Sequence, residues 1–298
     1  MVAAAVESPR AHAFEGALLG LVAVVLFSFS FPATKLALRG FDPWFISFGR
    51  AVLAAALAGP MLALRRAARP DRRQWARLAI VAGGVVVGFP ILSALALERT
   101  GSAHGAIVIA LLPAATAVAA VLRAGERPGL VFWLAAAAGV AVVTAFAVDQ
   151  AGGTLSLADA YLLVSVAVCG IGYAEGGALA RELGAVETIS WALVLSLPLT
   201  LPVALATLPA SAPGGDAVFG FVYVGGCSMF LGFVFWYAGL ALGGVARVGQ
   251  LQLFQPLLTV GWSALVLSEA VSWKILVAAA GVIASVAVSK RARVARRN

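Results

Sequence analysis

The residues able to do chemistry in this sequence are few and widely spaced. There are two histidines and two cysteines in 298 residues, and no G-x-S-x-G, H-E-x-x-H or P-loop motif occurs. Four ionisable residues stand within or at the ends of long apolar segments: Lys35, Arg50, His104 and Glu175. A charge is costly in such surroundings, so each is a candidate functional group. This pattern argues against an enzyme and predicts neither a metal site nor a cofactor.

The composition around these residues is that of a membrane protein. Hydrophobic residues make up 62% of the chain and charged residues 11%, with a mean hydropathy of +1.01. Soluble domains contain about 25% charged residues. Ten apolar runs are long enough to cross a bilayer as helices. They are 16–38, 44–64, 75–97, 102–122, 129–148, 158–180, 186–208, 217–240, 249–267 and 273–289.

An internal repeat organises these runs. Segment 102–126 aligns with 245–269 so that Pro113 meets Pro256 and Glu126 meets Glu269, both at an offset of 143 residues. The sequence AAAGV recurs at 136–140 and 278–282. Because each half holds five runs, the second half must cross the membrane in the opposite sense to the first. We therefore predict an all-α integral membrane fold of ten transmembrane helices, arranged as two inverted five-helix repeats around a central cavity.

The domain boundaries and the orientation follow from the runs and from the basic residues. We predict a tail at 1–15, repeats at 16–148 and 158–289, and a basic tail at 290–298. Sixteen of the 21 Lys and Arg residues fall on the side of the N-terminus, and the loops 149–157 and 209–216 contain none. This positive-inside distribution predicts that both termini lie in the cytoplasm. The net charge of +8 is thus topological and predicts no nucleic-acid partner.

The whole chain resembles the drug/metabolite transporter superfamily, in its EamA family. The resemblance rests on the Pro-x12-Glu ends of the fourth and ninth helices, the FSFSFPATK segment at 27–35 and the AAAGV runs. Within that family the chain looks closest to bacterial exporters of amino acids, including aromatic ones. The resemblance implies a cavity formed mainly by the first, third, fourth, sixth, eighth and ninth helices.

Each charged candidate has more than one interpretation. Lys35 and Arg50 lie near the outer ends of their helices. They can snorkel to the interface with Asp42 as a partner, or they can gate the outer vestibule or meet a substrate carboxylate. His104 begins the fourth helix and is either a polar helix end or an external gate. Glu175, near the inner end of the sixth helix, can couple protons, bind an amine or simply be hydrated.

Neutral polar and aromatic residues are the candidates for substrate binding. Gln252 and Gln255 share a helix face, and Phe230 and Tyr237 belong to an aromatic stripe in the eighth helix with Phe233 beside it. Such a stripe is either core packing or a ligand surface. Aromatic walls with a few neutral polar groups suit a small zwitterion with an apolar side chain. The predicted set is Ser28, Ser30, Ser93, Tyr173, Phe230, Tyr237, Gln252 and Gln255.

Four prolines inside the predicted spans bear on whether the helices can bend. Pro32, Pro90, Pro113 and Pro256 interrupt four of the runs. Each can be a packing kink, or the set can form the hinges of a transporter. No cluster of Arg or Lys appears among the midplane residues, which argues against a nucleotide-sugar substrate.

The sequence therefore predicts a secondary transporter that exports aromatic or neutral amino acids, or similar small metabolites, by alternating access. Its expected partners are the lipid bilayer and a small-molecule substrate, with no obligate protein partner. Two alternatives stay open: a proton-coupled exporter of drugs or cationic solutes that uses Glu175, and a facilitative channel. Inverted halves with two related gates favour alternating access over a pore.

Overall fold

The computed structural model describes residues 9–124, 127–150, 155–243, 248–249, 251–291 and 294–295. Helical segments occupy the positions of all ten predicted runs within these ranges. We number them α1 (Pro9–Ser28 and Ser30–Ala37), α2 (Pro43–Leu64), α3 (Arg72–Val81, Ala82–Gly88 and Phe89–Arg99), α4 (Ser102–Ile109 and Leu112–Ala124), α5 (Leu130–Gln150), α6 (Leu157–Leu183), α7 (Ala185–Ala206), α8 (Gly215–Val222, Tyr223–Gly232 and Phe233–Gly243), α9 (Leu251–Phe254 and Gln255–Leu267) and α10 (Trp273–Arg291).

Seven of these segments are long and apolar enough to cross a membrane, judged on the described residues. The other three contain shorter apolar helices, Leu130–Phe146, Leu251–Leu267 and Trp273–Ser285. The described residues therefore contain several candidate membrane spans, while the count of ten crossings stays a prediction. Two short strands, β1 (Arg127–Pro128) and β2 (Val294–Ala295), pair in antiparallel fashion and join the α4–α5 connection to the C-terminal tail.

Polar caps set where several helices begin. The side chain of Asp42 accepts a hydrogen bond from the backbone N of Trp44, and Pro43 occupies the first helical position of α2. A capping box of Asp71 and Gln74 starts α3. A second capping box, of Ser156 and Asp159, starts α6. Such caps satisfy N–H groups that have no partner within the helix.

Proline and helix type interrupt the spans at related places in the two halves. The second part of α4 begins at Leu112, directly before Pro113, and the second part of α9 begins at Gln255, directly before Pro256. These starting points are 143 residues apart, which is the offset of the sequence repeat. A proline offers no N–H to the turn before it, so the regular helix restarts there.

The third and eighth spans share a second interruption. Ala82–Gly88 in α3 and Tyr223–Gly232 in α8 are π-helical. Displaced by 143 residues, the first segment covers 225–231, inside the second. π-helical turns are rare and occur frequently at functional sites. α1 and α6 differ, because α1 is interrupted at Phe29 whereas α6 is continuous over 27 residues.

Glycines let some helices approach backbone to backbone. A Cβ atom on Gly16 would lie 2.4 Å from the backbone N of Gly243, and one on Gly239 would lie 2.9 Å from the backbone O of Gly16. Together with Gly20, these residues form one G-x-x-x-G pattern on α1 and one on α8. Close contact through small residues is a common way for helices to associate in lipid, where burial of apolar surface gives no advantage.

The helix ends define two faces. The basic face carries Arg65, Arg77 and Arg123, which form ion pairs with Glu187 and Glu175. The opposite face carries, among others, Lys35, Arg39, His104, Asp216 and Glu269. That the basic face lies in the cytoplasm remains a prediction from the charge distribution.

Candidate functional site

A narrow cavity lies between α1, α2, α3, α4, α6, α8 and α9. One part of its wall is aromatic and consists of Phe27, Phe31, Phe89, Tyr173 and Phe233. The polar part consists of Ser30, Arg50, Ser228, Gln252, Gln255 and Thr259. The part of the cavity in which the centre of a water molecule fits has a volume of about 30 Å³. This is room for roughly two waters. The helices are those that the resemblance implies, with α2 added.

Arg50 enters the cavity from α2 and corrects the expectation that it snorkels. Arg50 is 4% exposed, and one terminal N–H of its guanidinium donates to Ser228 Oγ at 3.3 Å. Ser228 Oγ in turn lies 2.7 Å from Ser30 Oγ. Seven residues beyond the helix start correspond to a depth of roughly 10 Å, and the side chain points between α1 and α8 rather than to lipid.

No acidic partner balances Arg50 within the described part of the chain. The Nε of Arg50 has no hydrogen-bond partner, and no Asp or Glu among the described residues lines the cavity. Arg50 is also the one Lys or Arg of the described residues in that wall. The described part of the cavity wall therefore holds one isolated cation and not a cluster.

The two glutamines of α9 both reach the cavity. Gln252 belongs to the 3₁₀ turn Leu251–Phe254 and is 3% exposed, while Gln255 is the first residue of the following α-helix. Gln252 Nε2 and Gln255 Oε1 have no hydrogen-bond partner. A buried polar group without a partner costs free energy, so a ligand that supplies the missing bonds is favoured. Ser30 and Tyr173 also line the cavity, as expected.

Four predicted substrate-binding residues do not line the cavity, which corrects their assignment. Ser28 Oγ donates to the carbonyl of Val25 and accepts from Trp262 Nε1 at 3.1 Å. Ser93 Oγ donates to the carbonyl of Pro90. Their hydroxyls therefore serve contacts within and between helices. The other two, Phe230 and Tyr237, are buried in the hydrophobic core.

The π-helical segment explains the misassignment in α8. A stripe with seven-residue spacing assumes regular α-helical turns, but Tyr223–Gly232 follows wider turns. Side chains after it are rotated relative to an ideal α-helix, so Phe233 lines the cavity. Tyr237 instead packs against α6, where a Cβ on Gly176 would lie 2.2 Å from its hydroxyl oxygen.

Polar contacts close the face opposite the basic face. Lys35 Nζ donates to the carbonyls of Leu97 at 2.9 Å and Thr100 at 3.1 Å, so that it links α1 to the end of α3 and does not pair with Asp42. The carboxylate of Glu269 accepts from the backbone N of Ser102 and of Ala103, both at 2.8 Å. It thereby joins the end of α9 to the start of α4. Glu126, at the corresponding repeat position, lies outside the described residues.

His104 makes a further contact on this face. Its Nε2 lies 2.7 Å from Oδ1 of Asp159, which is 1% exposed. The other carboxylate oxygen of Asp159 accepts from Ser156. His104 is therefore an interhelical contact between α4 and α6. Its repeat counterpart, Arg247, falls outside the described residues.

Glu175 lies at the basic face rather than in the cavity. It is 6% exposed, and its two carboxylate oxygens accept from Arg77 of α3 and Arg123 of α4. Arg77 also donates to Glu182 at 2.7 Å. The carboxylate therefore links three helices, and Glu175 is not among the residues that line the cavity. We call Arg77, Arg123, Glu175 and Glu182 the basic-face cluster.

Three contributors to these sites were absent from the predicted set, although Phe233 was named beside the aromatic stripe of the eighth helix. Ser228 and Phe233 stand in or next to a segment whose π-helical form no motif announced. Glu269 was recognised as a mark of the repeat, but its capping role depends on α4, which begins 167 residues earlier. The repeat itself was the signal that could have singled it out.

Comparison with known proteins decides the family. Residues 14–147 and 156–290 each match the model of the EamA-like transporter family. The chain belongs to this family, within the drug/metabolite transporter superfamily. It is therefore a multi-pass membrane transporter rather than an enzyme.

Two known proteins are similar to the chain, one in sequence and one in fold. Over 274 residues the chain is 50% identical to the "Uncharacterized transporter YdeK" of Bacillus subtilis (strain 168), covering 91% of this chain and 96% of that one. A protein of known crystal structure superposes with a TM-score of 0.65 at 19% identity, covering 92% of this chain and 96% of that one. This second likeness concerns the fold alone.

Proposed function

We propose that this EamA-family protein is a secondary transporter that exports aromatic or other neutral amino acids, or similar small metabolites, across the bacterial inner membrane. Ten helices form two inverted repeats around the cavity, both termini are cytoplasmic, and transport proceeds by alternating access. The single observation that carries the proposal is a buried cavity whose wall combines aromatic rings with polar atoms that lack partners.

The wall chemistry suits an amino acid with an apolar side chain. Tyr173 and Phe233 have ring centroids 5.7 Å apart in an edge-to-face arrangement, and they offer an apolar surface. Gln252 and Gln255 offer one unpaired donor and one unpaired acceptor. Such a mixture of apolar surface and a few polar groups is typical of small-molecule sites.

The closure of both faces favours alternating access over a channel. Glu269 and Lys35 join helices on the face opposite the basic face. The basic-face cluster joins helices on the basic face. Space for roughly two waters is too small for an amino acid. Substrate entry therefore requires helices to separate, and the repeat-related breaks in α4 and α9 are suitable hinges.

The cationic-solute exporter has less support. Arg50 places a positive charge in the cavity wall, which repels a cation, and no acidic residue of the described chain lies in that wall. Glu175 is engaged by two arginines away from the cavity.

Uptake into proteoliposomes from a panel of labelled amino acids, with and without a pH gradient, tests the proposal. We expect saturable uptake of phenylalanine and other apolar amino acids. Gln255→Leu should weaken apparent affinity roughly 5- to 150-fold, because a hydrogen bond to the ligand worth about 1 to 3 kcal/mol is lost. Ser93→Ala is the matched control, since Ser93 is buried but does not line the cavity. Flux proportional to concentration would instead indicate a channel, and gradient-driven uptake of amines only would indicate the cation exporter.

A further inference from the structure

We propose that Arg50 is the carboxylate-binding group of the cavity, and that a carboxylate is therefore the feature every substrate must carry. This inference rests on the proposed function and names the part of the substrate that the site recognises. It goes further in ranking the two charged ends of an amino acid, since it makes the carboxylate dominant and the ammonium secondary.

The burial of Arg50 is the first argument. The residue is 4% exposed, and no carboxylate of the described residues pairs with it. Taking a guanidinium out of water is expensive unless a counter-charge and hydrogen bonds compensate it. Among the described residues Ser228 Oγ is the one acceptor for the guanidinium, over 3.3 Å, and Nε has no partner. A ligand carboxylate supplies both the missing charge and the missing acceptors, and arginine suits it because the two groups can form paired bonds.

The second argument is that the guanidinium is held in place. Ser228 of α8 contacts both Arg50 of α2 and Ser30 of α1, and the two hydroxyl oxygens lie 2.7 Å apart. The cation is thus tethered between three helices while most of its N–H groups remain available. A pre-positioned donor loses little conformational entropy when the ligand arrives.

The third argument concerns the other end of the ligand. An ammonium group finds no acidic residue in the cavity wall among the described residues. It can meet Gln255 Oε1, which lacks a partner, and the faces of the aromatic rings. These contacts are weaker than an ion pair. The cavity therefore should bind an acid without an amine better than an amine without an acid.

Competition against labelled phenylalanine in proteoliposomes tests this ranking. The competitors are 3-phenylpropanoate, which keeps the carboxylate and lacks the amine, and phenylalaninamide, which keeps the amine and lacks the carboxylate. For the natural protein we expect inhibition by 3-phenylpropanoate at concentrations roughly 10- to 100-fold lower than by phenylalaninamide, as expected for a hydrogen bond to a charged group.

Substitutions at Arg50 separate charge from shape. Arg50→Gln should remove the preference for the acid, whereas Arg50→Lys should keep part of it because the positive charge remains. Arg65→Gln is the control, since Arg65 directly follows the same helix, pairs with Glu187 at the basic face and should leave the ranking unchanged. Should Arg50→Gln fail to fold, Ser228→Ala gives the second test. Without the hydrogen bond from Arg50 to Ser228 Oγ, the ratio between the inhibitory concentrations of phenylalaninamide and 3-phenylpropanoate should fall several-fold.

The outcomes distinguish the two proposals. If phenylalanine is transported and Arg50→Gln keeps the natural ranking, the role of Arg50 is overturned while the proposed function stands. If phenylalanine is not transported, thermal stabilisation of the purified protein by 3-phenylpropanoate, lost in Arg50→Gln, would still support a carboxylate site. The absence of such stabilisation, or equal stabilisation of both proteins, would overturn it.

Discussion

Replacing Glu269 by glutamine should weaken the contacts that close the face opposite the basic face. The carboxylate accepts hydrogen bonds from the first two backbone N–H groups of α4, those of Ser102 and Ala103. These groups carry the partial positive charge of a helix N-terminus, and the negative charge of Glu269 complements it. Glutamine keeps the size of the side chain but presents one carbonyl oxygen and a competing donor.

The magnitude follows from the two bonds. A hydrogen bond to a charged group contributes about 1.5 to 3 kcal/mol, and the helix dipole adds about 0.3 to 1 kcal/mol. Glu269 is half-buried, and the amide oxygen retains one bond, so the lower end applies. We expect the closed arrangement to lose about 1 to 2 kcal/mol, which corresponds to a roughly 5- to 30-fold shift towards opening.

Cysteine labelling measures this shift. In a protein with Cys169 and Cys227 replaced by alanine, Ala106→Cys places a thiol in the cavity wall. A membrane-impermeant maleimide applied to the opposite face should label it roughly 5- to 30-fold faster when Glu269→Gln is present. Equal labelling rates with and without the substitution would refute the capping argument.

A control on the same face excludes a general effect of lost charge. Glu98 and Glu269 line one surface pocket, which we call the vestibule, but the ion pair of Glu98 is with the adjacent Arg99 and both of these side chains are exposed. Glu98→Gln should therefore leave labelling unchanged. A matching increase with this control would show that vestibule charge, rather than the cap on α4, limits access.

Three further predictions concern topology, packing and the basic face. A reporter active only in the cytoplasm should work when fused at Arg72 and fail at Gly152, and the reverse result would overturn the orientation. Gly239→Ala should lower the thermal stability in detergent, because its Cβ would meet the backbone of α1 at 2.9 Å. Gly261→Ala, which meets nothing within 4 Å, should be neutral or stabilising by up to about 1 kcal/mol. Glu175→Gln should raise labelling of the cavity from the basic face. Lost accumulation under a pH gradient with unchanged labelling would favour proton coupling instead.

Hydropathy predicted the positions of the helical segments because lipid demands long apolar runs with internally satisfied backbones. The run at 129–148 became Leu130–Gln150, and that at 249–267 became a segment starting at Leu251. Proline positions also located the restarts in α4 and α9, since the loss of one N–H acts locally.

The site was harder to predict, because it depends on rotation about each helix axis. α2 is apolar around most of its circumference, so its position along the helix indicates the depth of Arg50 but not the side that the residue faces. The contact with Ser228, 178 residues away, decides that side. The wide turns of α8 then displaced the aromatic stripe, so that Phe233 rather than Tyr237 reached the cavity.

The π-helical segments bear on how wide the cavity can become. Phe89 directly follows the segment in α3, Phe233 directly follows the one in α8, and both rings stand in the cavity wall. Rewinding either segment by one residue into regular α-helix would turn the following ring by roughly 100° about the helix axis. Such a change would move one aromatic ring of each half of the chain relative to the cavity wall and would alter the width of the cavity.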